Sequence, residues 1–216
     1  AYLKKDYFTY TFARLLGPDF FNYVFHIHGK DRAAALESSF EMSGDTADGH
    51  FYVPFDSSFS FFRALNDNNK INLPILCINT TRMQDGNPGV VSNLNIDSLT
   101  FNSRVDVVKL LDNEKRDFSL ASGAILGARF PFLSPAGNVA NNYFVDGGYF
   151  DNSGAGVVQE LIRGIINIGK KARGNKDSIA GKIARIHFHV VHIVNSPETG
   201  TANLKAVPPI KNDLLA

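Results

Sequence analysis

The sequence predicts an α/β protein with an incomplete sheet, packed helices and a helical, aromatic-rich N-terminal segment. Three observations predict it. Val157, Val158, Leu161, Ile162, Ile165 and Ile166 recur at the period of a helix, and apolar runs near Tyr143 and near Ile186 flank them as strands, the arrangement of a right-handed βαβ unit. An apolar run over 73–83 meets Asp85-Gly86-Asn87-Pro88-Gly89, a strong turn signal, before a second run over 90–96, so these two read as a hairpin. Before residue 71 the pattern is mostly helical. Two such strands and a hairpin are few for a complete doubly wound domain, so the sheet is expected to lack a piece.

The elements follow in order. Residues 3–16 read as a helix ended by Gly17 and Pro18, and Asp31 caps a second helix from 32 to about 42, with Ala33, Ala34, Leu36 and Phe40 at helical spacing. Tyr7, Phe8, Tyr10, Phe12, Phe20, Phe21, Tyr23 and Phe25 crowd this region. They read first as core, since aromatic rings contribute most to apolar interiors; an acyl-chain pocket or a face touching a membrane is the alternative. Residues 43–54 form a loop, and 57–65 a short helix before the turn-forming run 66–69. In the hairpin, Asn79, Thr80 and Thr81 come after the buried part of the first strand, where they either face a functional edge or only satisfy strand-end backbone.

Asp117 is expected to cap a helix over 119–128 whose small residues, among them Ala121, Gly123, Ala124 and Gly127, permit close packing. Phe130-Pro131-Phe132 and Ser134-Pro135-Ala136-Gly137 end it. Phe144 and Val145 then close a buried strand at Asp146, and Gly147 and Gly148 allow positive φ and close backbone approach. Asn152 or Ser153 caps the long helix, which Lys170, Lys171, Arg173 and Gly174 close. After a solvated loop at 175–181, residues 183–194 are so continuously β-branched that they read as a buried, parallel strand.

Composition narrows the function classes. At 216 residues with 44% hydrophobic content the chain suits one globular domain, and 22 basic against 21 acidic groups give a formal charge of +1. That charge gives no reason to expect nucleic acid, because the one dense basic run, Lys170, Lys171 and Arg173, sits at a helix C-terminus that favours cations. The single cysteine, Cys77, excludes an internal disulfide, reads as core and fits a reducing compartment. No apolar stretch approaches the ~20 residues that span a bilayer, and no signal peptide opens the chain. It starts Ala1-Tyr2 and stops at Asn212-Asp213-Leu214-Leu215-Ala216, a cap and the first residues of a helix, so it is expected to be cut from a longer protein, cytoplasmic or membrane-associated.

Asp146 is the candidate for chemistry. An apolar strand delivers one carboxylate to the C-terminal edge of a sheet, where open α/β sheets bind ligands. The alternative is that Asp146 only hydrogen-bonds its own turn. His187 and His189 alternate onto one strand face with His192 opposite, but zinc needs three or four ligands and no Cys pair or HExxH accompanies them, so no metal is expected; His26 and His28 are weaker still. No P-loop and no GxGxxG follows a strand, so no nucleotide cofactor is expected. No GxSxG is present, and Ser122, Ser134 and Ser153 stand in no nucleophile-elbow context.

FVDGGYFDNSGA, residues 144–155, resembles the Asp-Gly-Gly element of patatin-like phospholipases, and it is not alone. LASGAILGARFPFLSPAG at 120–137 resembles the Ala-Ser-rich helix and Phe-Pro segment preceding that element, and PILCINTTRMQDGNPGVV at 74–91 is similar to a strand and turn further upstream. DYFTYTFARLLGPDFF and DRAAALESSFE resemble an insertion of long bacterial members. The resemblance implies a three-layer α/β/α domain over 1–216, with 1–70 as the insertion-like segment and 71–216 as the α/β portion. It implies acyl-ester hydrolysis by a Ser-Asp dyad without histidine, with Asp146 as base, Gly147, Gly148, Asn79 and Thr81 as support, and a lipid or acyl ester as substrate. The family's oxyanion loop and Gly-x-Ser-x-Gly elbow are absent here, as expected if both precede Ala1, so the chain alone is expected to be inactive. A non-catalytic lipid-binding or protein-interaction module is the alternative. Self-association through an unpaired edge, docking of the missing part of the domain and peripheral membrane contact are the partner expectations.

Overall fold

The computed structural model describes residue 6 and residues 8–25, 31–42, 55–67, 73–97, 100–101, 103–112, 116–130, 133–171 and 179–193. The predicted loop at 43–54, His26, His28, Pro131, Phe132, Arg173, Gly174 and both chain ends lie outside the described residues.

Local chemistry starts the helices. The Asp6 carboxylate accepts the backbone N–H groups of Phe8 and Thr9 at 3.0 and 2.9 Å and opens α1 (Phe8–Leu16). Gly17 closes it, and Pro18 takes the first position of α2 (Pro18–Phe25), where its missing N–H costs nothing. Asp31 caps α3 (Arg32–Met42) as the sequence predicts, its Oδ1 accepting from Ala34 N at 2.8 Å. Ser58 Oγ accepts from Phe61 N at the start of α4 (Phe59–Asp67).

The predicted hairpin forms from β1 (Cys77–Arg82) and β2 (Pro88–Ser92), paired antiparallel across a turn in which Gly86 has φ 70°. The remaining elements are β3 (Val105–Asp106), α5 (Lys109–Asp112), α6 (Leu120–Gly127), β4 (Gly137–Val139), β5 (Asn142–Asp146), α7 (Gly148–Asp151), α8 (Ala155–Lys171) and α9 (Ile179–Ile183). The result is a mixed α/β fold with one five-stranded sheet of order β3-β2-β1-β5-β4. Only β2 and β3 are parallel; β5 runs antiparallel to both β1 and β4.

The core lies on the sheet face that carries Ile78, Val91 and Phe144. Phe59 of α4, Leu111 of α5, Leu126 of α6 and Val107, Val108 and Phe118 pack there. Arg63 of α4 is buried beside them and donates to Asp106 Oδ1 at 2.7 Å and to Ser92 O at 3.0 Å, so its charge is paired where it is desolvated. Cys77 is half-buried with Sγ 3.6 Å from Ser92 Oγ, and burial pushes its thiol pKa up, away from the reactive thiolate.

Four expectations are corrected. The parallel strand expected over 183–194 is not formed by its described part: Ile183 ends α9, residues 184–193 pair with no strand among the described residues, and Val191 and Ile193 are 84% and 90% exposed. β-branched composition fits a pleated surface, but a strand also needs a neighbouring ladder. No βαβ unit therefore brackets α8 among the described residues. Ser119, not Asp117, caps α6 by accepting from Ser122 N, while Asp117 Oδ1 accepts from Phe118 N at 2.7 Å. Six of the aromatic residues expected in the core are not there: Phe8, Tyr10, Phe12, Phe20, Phe21 and Phe25 are all exposed, and Tyr7 and the Tyr23 side chain lie outside what the structure describes. Finally, β4 has no counterpart in the elements the sequence predicts. It joins β5 through Ala140 and Asn141, at φ 48° and 61°, two successive left-handed residues of the kind hairpin turns use.

Candidate functional site

Asp146 ends β5 in direct register with Thr80 of β1, so the two side chains share a sheet face. Its N–H donates to Arg129 O at 2.9 Å, and its half-buried carboxylate is oriented by Gly148 N, which donates to Oδ1 at 2.6 Å. Among the described residues nothing bonds Oδ2. Among the described residues the carboxylate is therefore anchored through one oxygen and open through the other.

Gly147 and Gly148 do not need glycine for positive φ. Gly147 has φ −66° and ψ −22°, ordinary right-handed backbone. Close approach is the reason. A Cβ on Gly147 would stand 2.4 Å from Asn79 O and 2.6 Å from Asn79 Cβ, and one on Gly148 would stand 2.8 Å from Asp146 Oδ1. The Gly147 N–H donates to Gly127 O at 3.1 Å, and a Cβ on Gly127 would in turn lie 2.7 Å from Asn79 O. The end of α6, the strand β1 and the Asp146 turn thus meet backbone to backbone.

The predicted supports divide. Asn79 is brought to the turn: it packs on Gly147, and its Nδ2 lies 3.3 Å from Asp151 Oδ2. Thr81 pairs with Val145, buried, with its hydroxyl unpartnered among the described residues. By strand alternation Asn79 and Thr81 face away from Thr80 and therefore from the Asp146 carboxylate. Thr80 itself donates to Val145 O at 2.7 Å.

Three residues missed in the sequence hold this turn. Only 1% of the Arg104 side chain is exposed; its Nε donates to Glu160 Oε2 at 2.6 Å, its Nη1 to Asn79 Oδ1 at 3.3 Å, and its Nη2 stands 3.7 Å from Asp151 Oδ2. The guanidinium also lies 5.8 Å from the centroid of the Phe150 ring. Asp151 Oδ2 accepts from Gly156 N at 2.9 Å and Val157 N at 3.3 Å, so Asp151 caps α8; Ser153 assists, its Oγ accepting from Ala155 N, and Asn152 is exposed. Burial opposes ionisation of Asp151, but the Ser153 hydroxyl, the Val157 and Gly156 amides and Arg104 outweigh it and hold its pKa below the ordinary carboxylate value. Asp151 before a helical run is a legible cap signal. Arg104 gives none, because its partner Glu160 is 56 residues away.

Ser122 and the described histidines stand elsewhere. Ser122 donates to Glu37 Oε1 and contacts Ser119, in the first turn of α6, whereas Asp146 adjoins the C-terminal end of that helix. His187, His189 and His192 sit exposed in the unpaired 184–193 segment. Among the described residues no three His, Cys, Asp or Glu side chains gather closely enough to hold a metal ion, and no helix is long and apolar enough to cross a membrane. No family model, curated protein or solved structure matches this chain.

Proposed function

We propose that the chain is part of a patatin-like lipid acyl hydrolase of three-layer α/β/α architecture and supplies its dyad base, Asp146. The observation that carries the reading is the geometry of that carboxylate. Gly148 N fixes Oδ1 at 2.6 Å, Oδ2 has no partner among the described residues, and the glycines keep side chains from crowding it. A carboxylate so held accepts the proton of a serine hydroxyl as the oxygen attacks an ester carbonyl. Gly147, Gly148 and Asn79 support the turn in this reading; Thr81 sits two residues further along β1. The serine comes from outside these 216 residues, because the chain has no Gly-x-Ser-x-Gly and Ser122 lies at the opposite end of α6 from Asp146.

The alternative, a non-catalytic lipid-binding or interaction module, draws on the same hydrogen bond, since an Asp that ties its own turn has a structural role without chemistry. Activity-based labelling separates the two. The purified chain is expected to resist a fluorophosphonate probe, while the chain joined to its upstream coding sequence is labelled and hydrolyses short acyl esters. Asp146→Asn in that longer protein is expected to lower kcat by about 100-fold or more. An unlabelled, inactive longer protein leaves the module reading standing.

A further inference from the structure

We propose that the outward aromatic stripes of α1 and α2 form a face that binds the surface of a bilayer containing anionic lipid. These helices are amphipathic in the wrong sense for a core. The half-buried positions of α1 are Thr11, Arg14 and Leu15, spaced i, i+3, i+4, and α1 packs on α3. Its exposed stripe is Phe8, Phe12 and Leu16, spaced i, i+4, i+8, with Leu16 79% exposed. α2 repeats the arrangement: Asp19 turns inward to pair with Arg32 at 3.1 Å, while Phe20, Phe21 and Phe25 are exposed, the last two stacked with ring centroids 6.2 Å apart. Leu15 and polar groups hold the helices to the protein, and rings face out.

An exposed apolar face built of several rings marks a contact, and its chemistry selects the partner. Aromatic side chains with basic neighbours are what surface-lying helices use at the headgroup boundary. The charges agree. Through Arg32 the sequence carries five Lys or Arg against three Asp, whereas the remainder carries seventeen against eighteen. The three carboxylates are engaged within the fold, Asp6 as the cap of α1, Asp19 by Arg32 and Asp31 by α3 and Arg129. Lys4, Lys5 and Lys30, which flank these helices in sequence, supply the positive excess of this stretch, and such charge is drawn to anionic headgroups. A second copy of the chain would instead set like charges against each other. At nine and eight residues the helices are too short to span, so the contact lies along the surface. The proposal stands whether or not Asp146 acts as a base.

Flotation of the full chain with phosphatidylcholine vesicles, with and without phosphatidylserine, tests it. The chain is expected to float with the phosphatidylserine vesicles, to float less as salt rises, and to lose at least about tenfold in partitioning on Phe12→Ser with Phe21→Ser, both exposed. Circular dichroism checks the variant's fold, and Phe8→Ser with Phe25→Ser is the second pair should the first unfold. No flotation of the wild type, equal flotation of a folded variant, or a dimer in light scattering that the substitutions abolish while vesicles do not bind overturns the proposal.

Discussion

Two helical regions of this molecule invert the usual relation between residue size and burial. α6 is rich in small residues and is inside, with Ala121 and Gly123 buried beside Ile125 and Leu126; α1 and α2 carry larger rings, and the described ones are outside. The difference is what each helix meets. α6 lies against the sheet, where Gly127 lets its end touch the backbone of β1, and that contact seats Gly147 and the Asp146 turn. α1 and α2 meet the protein through Thr11, Arg14 and Asp19 and leave their rings to something else. Burial follows the presence of a complementary surface, and ring count alone does not supply one.

Arg104 is the buried cation beside the Asp146 turn. Arg104→Leu removes the partner of Glu160, the nearby cation of Asp151 and the donor to Asn79 at once. Uncoupling a buried ion pair costs about 3–5 kcal/mol, a large share of a stability of about 5–15 kcal/mol. Urea unfolding is expected to show that loss. The Asp151 pKa is depressed in the fold, so its contribution is present above the unfolded carboxylate value of about 3.9 and is lost as pH falls through the lower folded value. The wild type is therefore expected to lose stability on acidification below about pH 4. A loss under about 1 kcal/mol on Arg104→Leu would mean that the buried network is not what holds the turn.

Gly147→Ala sharpens the comparison by one methyl group. The added carbon would stand 2.4 Å from Asn79 O, and the obstacle is backbone, which does not rotate away. Overpacking of this kind costs about 1–3 kcal/mol, and this site belongs at the upper end. A thermal midpoint unchanged by Gly147→Ala would show that α6, β1 and the turn are not locked together as described.

What the sequence made legible is what local chemistry decides. Asp85-Gly86 marks the turn of the β1–β2 hairpin, Asp31 marks the start of α3, and the period of Val157, Leu161 and Ile165 marks α8. Asp146 and its glycines were legible as a displayed acid on a tight turn, although the glycines serve close approach and not positive φ. Long-range partners left no local mark. Arg104 meets Glu160 across 56 residues, β3 is two residues long, and the β4–β5 turn uses Ala140 and Asn141 without glycine. The run at 183–194 misled for the complementary reason: composition reports what a ladder would accept, and no ladder adjoins it among the described residues.

The smallest expected effect is the one that separates the two regions most cleanly. Phe12 and Phe21 are exposed, so replacing both by Ser removes little buried apolar area from the folded protein. Phe21 gives up its stack on Phe25, Phe12 its tilted contact with Phe8 at 6.3 Å, and helix propensity changes little between Phe and Ser. The double variant is expected to unfold within about 0.5 kcal/mol of the wild type, as surface substitutions do. Two rings removed from α1 and α2 then cost less than one methyl added at Gly147. If the double variant instead lost about 2 kcal/mol or more, those rings would be packed in the molecule in solution, and the outward face would be part of its core.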